Sequence, residues 1–190
     1  MKILLLLFVL LFSSSVVADD ISDFEIEGMS VGDSLLDYFN ERELKENFNK
    51  GLYSNENDKF IIYEIEDIRF KNYEGLQIVL KRNDKTMKIY SLSGSIIFEK
   101  NIEDCYSKEK NIVEELSSLF KSLKKQDPGI LDFKDGSGTF KPVAFDFDNG
   151  DRILIACYDW KIETGWVDNL KVALYSKEHR DYMKEKGKTN

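Results

Sequence analysis

Few residues of this chain carry obvious chemistry. Gly32-Asp33-Ser34-Leu35 sets a serine beside an aspartate. A serine hydroxyl attacks well only when a neighbouring base takes its proton. His179 is the only histidine in the chain, and Ser176, not an acid, stands three residues before it. Ser30 and Asp33 meanwhile have the spacing of a helix capping box. Ser34 therefore reads as a residue of a first helix, and no catalytic residue is assigned. His179, in the polar run from Lys177 to Asp181, is expected at the solvent surface.

A second cluster is acidic. Asp146, Asp148, Asn149 and Asp151 are oxygen ligands of the kind calcium takes. With Gly150 at the sixth loop position, however, Phe145 and Phe147 would stand where the first and third ligands belong. Zinc would need two ligands beyond Cys105 and Cys157, and a single histidine cannot supply them. No metal and no cofactor is expected.

The third cluster is aromatic. Tyr158, Asp159, Trp160 and Trp166 surround a short loop, and together they are the candidate surface for a ligand or partner. Strand alternation puts Tyr158 and Trp160 on one face and Cys157 and Asp159 on the other. Trp160 is expected to be buried by its place in the strand. Trp166, beside Gly165, is expected to be partly exposed.

The setting of these residues follows from the rest of the sequence. Lys2, the apolar run Ile3 to Phe12 and the small residues ending at Ala18 have the form of a signal peptide. Residues 1–18 are expected to be removed, leaving 19–190 as a single domain in the periplasm or secreted. No later stretch is long and apolar enough for a transmembrane segment. The net charge of -8 argues against a nucleic-acid partner, whose phosphates need a basic surface. In an oxidising compartment, Cys105 and Cys157 are expected to form a disulfide. The 52-residue separation makes the closed loop worth about 4 kcal/mol.

The periodicities predict an α+β fold. A helix is expected after Ser30, with Val31, Leu35, Leu36 and Phe39 at helical spacing. A second short helix capped by Asn40 runs toward Phe48 and Gly51. Three strands follow within 59–68, 75–81 and 86–98, with Gly94 as a bulge or turn. The main amphipathic helix is expected over 105–124, showing Ile112, Leu116, Leu119, Phe120 and Leu123 on one side. Strands at 140–147, 151–160 and 170–175 come next, the first two joined by the hairpin signal Asn149-Gly150. A charged helix starts near Ser176. The expected architecture is two three-stranded antiparallel runs packed on a central amphipathic helix, between short N-terminal helices and a C-terminal one.

Three resemblances bear on function. Gly-Asp-Ser-Leu is also the signature of a hydrolase family, but that family's Asp-x-x-His and Gly-x-Asn-Asp blocks are missing here. The run from Phe24 to Phe39, with Cys157-Tyr158-Asp159-Trp160 later, resembles uncharacterised exported proteins of small marine alphaproteobacteria, which implies no activity. Two short helices followed by three strands, over Ser30 to Phe98, is similar in layout to BamE-type outer-membrane assembly domains. The tandem form of that layout is similar to a secreted β-lactamase inhibitor. The lipid-bearing cysteine of BamE-type lipoproteins is absent. The expected function is a non-enzymatic binding or envelope-interaction protein taking an unidentified protein or small ligand. The alternatives are a carboxylate-based envelope hydrolase and an inhibitor of a basic wall-degrading enzyme.

Overall fold

The computed structural model describes residues 20–47, 49–50, 57–99 and 101–187. The expected signal peptide lies outside the described residues, as do Phe48 and Gly51. The described chain forms one antiparallel sheet of nine strands with three α-helices. In chain order the elements are α1 (Glu41–Asn47), β1 (Asn49–Lys50), β2 (Phe60–Ile65), β3 (Gly75–Lys81), β4 (Ile89–Glu99), α2 (Ile102–Leu119), β5 (Lys124–Gln126), β6 (Leu131–Asp132), β7 (Gly138–Asp146), β8 (Arg152–Trp160), β9 (Asp168–Tyr175) and α3 (Lys177–Glu185). Across the sheet the order is β1-β2-β3-β4-β9-β8-β7-β5, with β6 also paired to β7. The two runs of strands therefore join side by side, where β4 meets β9 from Ser91↔Tyr175 to Glu99↔Asp168.

The first expected helix does not form. The Asp33 carboxylate accepts the Ser30 N–H at 2.8 Å, as a capping box requires. The backbone then turns away at Gly32, whose φ is +105°. The Gly32 N–H donates to the Ile89 carbonyl at 2.9 Å, and the Leu35 N–H to that of Met87 at 3.0 Å. Bonding to the entry of β4 thus replaces helical bonding, and only a short 3-10 turn at Leu35–Asp37 remains. Val31, Leu35 and Phe39 are still buried, whereas Leu36 faces solvent. Asn40 does cap α1, accepting the N–H groups of Arg42 and Glu43, while Glu43 accepts the Asn40 N–H in return.

The main helix is displaced from its expected range. It begins at Ile102 and stops at Leu119, which is exposed, while Phe120 is buried just past its end. Its buried positions are Cys105, Glu109 and Val113, one turn apart. Lys124, the last residue of the expected helix, and Lys125 after it pair instead with the end of β7. Gly94 is neither bulge nor turn: β4 continues through it, paired with Leu76 and Val172. A Cβ there would lie 2.5 Å from the Tyr73 ring, so the glycine makes room for that ring.

Alternation divides the sheet into two faces. The inner face carries Leu76, Ile78, Leu92, Leu170, Val172, Leu174, Ile153 and Ile155, all buried. Covering it are α2 and the irregular segment that buries Ile21, Ile26, Met29 and Leu35. Cys105 of α2 and Cys157 of β8 are joined in a disulfide with their Cα atoms 6.0 Å apart, as expected, stapling this layer to the sheet. On the outer face α3 covers one end. Its Tyr182 hydroxyl donates to Asp58, and Phe60 packs edge-on against the rings of His179 and Tyr182. At the sheet margin, β5 and β6 both lie along β7, on either side of Pro142.

Candidate functional site: an open groove on the outer face

Beyond α3 the outer face is uncovered, and it forms a groove of about 900 Å³. Its floor is low because Gly75 and Ser95 are partners in adjacent strands, with Lys171 next in the same row. Across this floor runs a hydrogen-bonded chain. Lys171 Nζ donates to Gln77 Oε1 at 2.7 Å, and Gln77 Nε2 donates to Glu64 Oε1 at 2.7 Å. Burial pushes the Lys171 ammonium down to about 8, against a smaller opposing pull from Glu64.

One wall is aromatic. Tyr158 and Trp160 are two apart on β8 and so share a face, with ring centroids 5.8 Å apart. Phe133 stacks on Trp160 at 4.7 Å with the rings 5° from parallel, and on Phe140 at 4.9 Å. Trp166 ends the row, 6.1 Å from Trp160 and tilted by 38°. The loop that presents Trp166 is held by its own hydrogen bonds. Gly165 sits at φ +71° at the end of the turn Ile162–Thr164, and the Thr164 hydroxyl accepts the Trp166 N–H at 3.1 Å. Asp168 anchors the other end by accepting the Trp160 N–H at 2.9 Å. Trp166 is 61% exposed, with Ile162 and Val167 exposed in the same loop. Apolar groups gathered at one rim are the surface signature of a binding edge.

The opposite wall is acidic. Glu64 and Glu66 come from the end of β2 and the residue just beyond it, and Glu74 from the residue before β3. The Glu74 carboxylate accepts the Ile97 N–H at 3.2 Å, which fixes it at the rim.

Of the four residues expected to form the surface, Tyr158, Trp160 and Trp166 line the groove. Asp159 does not. It pairs with Thr139 and points to the inner side, where burial pushes its carboxyl up. Trp166 is exposed as expected. Trp160 is half-buried, not buried, because its stack with Phe133 covers only part of it. Lys171, Gln77 and the three glutamates were missed. Lys171 alternates with buried Leu170 and Val172, which marks it as outer-face, but only the strand order brings it beside Gln77.

The remaining candidates are structural in their settings. Ser34 caps the turn Leu35–Asp37, and its hydroxyl donates to the Thr86 carbonyl at 2.7 Å. It is thus at a helix start, not inside a helix. His179 is not at the surface: it is 5% exposed, with Nδ1 2.6 Å from the Ser91 hydroxyl. The sequence hides this because charged neighbours surround it, although its position on the sheet side of α3 buries it. Burial pushes its imidazole down to about 4. The Ser91–His179 pair is sealed between β4 and α3, which suits a helix anchor and not substrate access. Asp146 is held by Arg152 and Arg180. No three His, Cys, Asp or Glu residues converge on a metal position among the described residues.

A second cleft, of about 410 Å³, lies between α2 and β7. There Glu109 is fully buried and pairs with Lys141, while its Oε1 has no hydrogen-bond partner. Burial pushes the Glu109 carboxyl up against the pull of Lys141.

Among the described residues no helix is long and apolar enough to cross a membrane. Set against known protein families, curated proteins and solved structures, the chain matches none of them.

Proposed function

We propose that this chain is an exported binding protein whose outer-face groove receives a small ligand. One observation carries the reading: a half-open groove walled by a stacked aromatic row and by carboxylates, on a sheet whose other face is closed. Small-ligand sites combine apolar and aromatic walls with a few placed polar groups, in volumes of about 300–1,000 Å³. The Lys171–Gln77–Glu64 chain supplies such groups, and the aromatic row supplies rigid contact area. Stability alone gives no reason to leave Trp166 in water, since burying an indole brings a large apolar gain.

A glycoside-type general acid needs a carboxyl pushed up by its surroundings. The two carboxyls that burial pushes up among the described residues, Glu109 and Asp159, lie outside this groove, so a carboxylate-based hydrolase would be sought elsewhere on the chain.

The test is ligand capture. The protein, expressed with its own leader and recovered in native buffer, is denatured, and the released small molecules are identified by mass spectrometry. A compound retained by the unaltered chain and lost from Trp160→Ala and Trp166→Ala supports the reading. Equal retention by all three chains, or retention of nothing by any, counts against it.

A further inference from the structure

The charge of the groove defines its ligand more narrowly. Its lining holds three carboxylates, Glu64, Glu66 and Glu74, and a single cationic side chain, Lys171. Lys171 is joined to Glu64 through Gln77, so the floor is close to neutral. Glu66 and Glu74 remain at the rim, exposed and without an ion pair among the described residues. Two uncompensated negative charges beside an aromatic wall make a poor seat for an anion and a good one for a cation. An alkylated ammonium suits the aromatic wall by contact and the acidic wall through its field across the groove. Its carbon shell gains contact with the indoles, its charge is attracted by their faces, and the carboxylates offset it. The dimensions favour a free small molecule over a basic protein surface, because the groove is pocket-sized and flanked on two sides.

We infer that the ligand is a small organic cation of the alkylated ammonium class, seated with its carbon shell against Trp160 and Trp166 and its charge toward Glu66 and Glu74. This rests on the groove being the binding site proposed above. Lys171 then limits where the charge can lie. Its ammonium occupies the floor, so the ligand's cation stays above it, against the indoles and on the side facing the glutamates, and any acceptor it carries reaches down to the Lys171 ammonium.

The test follows tryptophan emission of the full chain during titration with choline as the probe. In parallel it is titrated with dimethylbutanol, the uncharged carbon isostere of choline, with a neutral oligosaccharide and with an oligolysine peptide. The expected result is a saturable response to choline, at least about tenfold weaker for the isostere. The response should weaken about tenfold in the double variant Glu66→Gln, Glu74→Gln, weaken with added salt, and weaken about tenfold in Trp166→Ala. Retained folding of the double variant is checked by its melting curve, and Glu115→Gln on the exposed side of α2 is the control. Equal or tighter binding of the isostere or the oligosaccharide overturns the cation assignment and leaves the binding-groove reading standing. Tighter binding of oligolysine than of choline overturns the small-molecule assignment. No saturable response to choline overturns the inference, and the capture experiment separately decides the groove.

Discussion

The two faces of the sheet are written by the same strands, one residue out of step, and they are built to different ends. On the inner face β8 presents Ile153, Ile155 and Cys157; on the outer face the same strand presents Tyr158 and Trp160. The inner set is closed over by α2 and fixed to it through the Cys105–Cys157 bond. The outer set is closed at one end by α3 and left open at the other. The inner face buries mostly apolar area, its polar groups being the Glu109–Lys141 pair and Asp159 at the margin. The outer face holds a half-buried lysine and an exposed tryptophan, both costly to stability. Such costs fit the binding role proposed for this face.

That contrast can be broken by experiment, and the largest effect is expected on the inner face. Replacing Cys105 and Cys157 together with Ala should lower the unfolding free energy by about 4 kcal/mol, the value for a closed loop of this length. Choline binding to the surviving folded fraction should be unchanged. A denaturant titration with and without reductant measures the first part. Lost binding in a folded variant would mean that the faces are not independent.

Acid should open the covered end of the outer face. His179 has a folded pKa near 4 against an ordinary 6.5, so the unfolded chain binds its proton first. Its contribution is complete above about pH 6.5 and is lost as pH falls from there toward 4. The expected loss is about 3 kcal/mol. Amide exchange in α3 should accelerate over this window before that in α2, and His179→Phe should remove the effect. Simultaneous loss of α2 and α3 would show that the layers unfold as one.

Lys171 should act in the opposite direction. Its folded pKa near 8 lies below the ordinary 10.5, so the burial cost is present in full below pH 8 and fades as pH rises toward 10.5. Lys171→Met should therefore raise stability at pH 7, by about 1 kcal/mol once its remaining solvent contact is allowed for. Added stability with weaker ligand binding would sharpen the contrast between the faces. A destabilised variant would place Lys171 among the groups that hold the sheet together.

Trp166→Ala should change stability least, by less than about 0.5 kcal/mol, because its side chain is largely in water. The same change should cost about 1–2 kcal/mol of binding. Thermal melts and the choline titration separate the two quantities.

How far these features were legible in the sequence depended on how local they were. The strands around β3 and β8, the Asn40 cap and the Ser176 cap follow from neighbouring residues alone. The disulfide was legible because only two cysteines exist. The helix expected after Ser30 was lost to hydrogen bonds with Met87 and Ile89, more than fifty residues away. The end of the main helix was lost in the same way, to pairing with β7. In the site, Tyr158, Trp160 and Trp166 stood out because they are close in sequence. Glu64, Gln77 and Lys171 meet only through strand order, which neither composition nor periodicity supplies. His179 was misjudged because charged neighbours disguised a residue on the buried side of its helix.

Pro142 bears on how this protein meets another chain. Strands β5 and β6 occupy β7 on either side of it, at Ala144–Asp146 and Thr139–Phe140. Between them the margin carries a residue with no N–H to offer. An incoming strand therefore finds no uninterrupted ladder along β7 on which to add itself. Main-chain augmentation and the stacking that leads to fibrils are both discouraged at this margin, so contacts there must be made by side chains, and concentrated solutions should resist edge-to-edge association through β7.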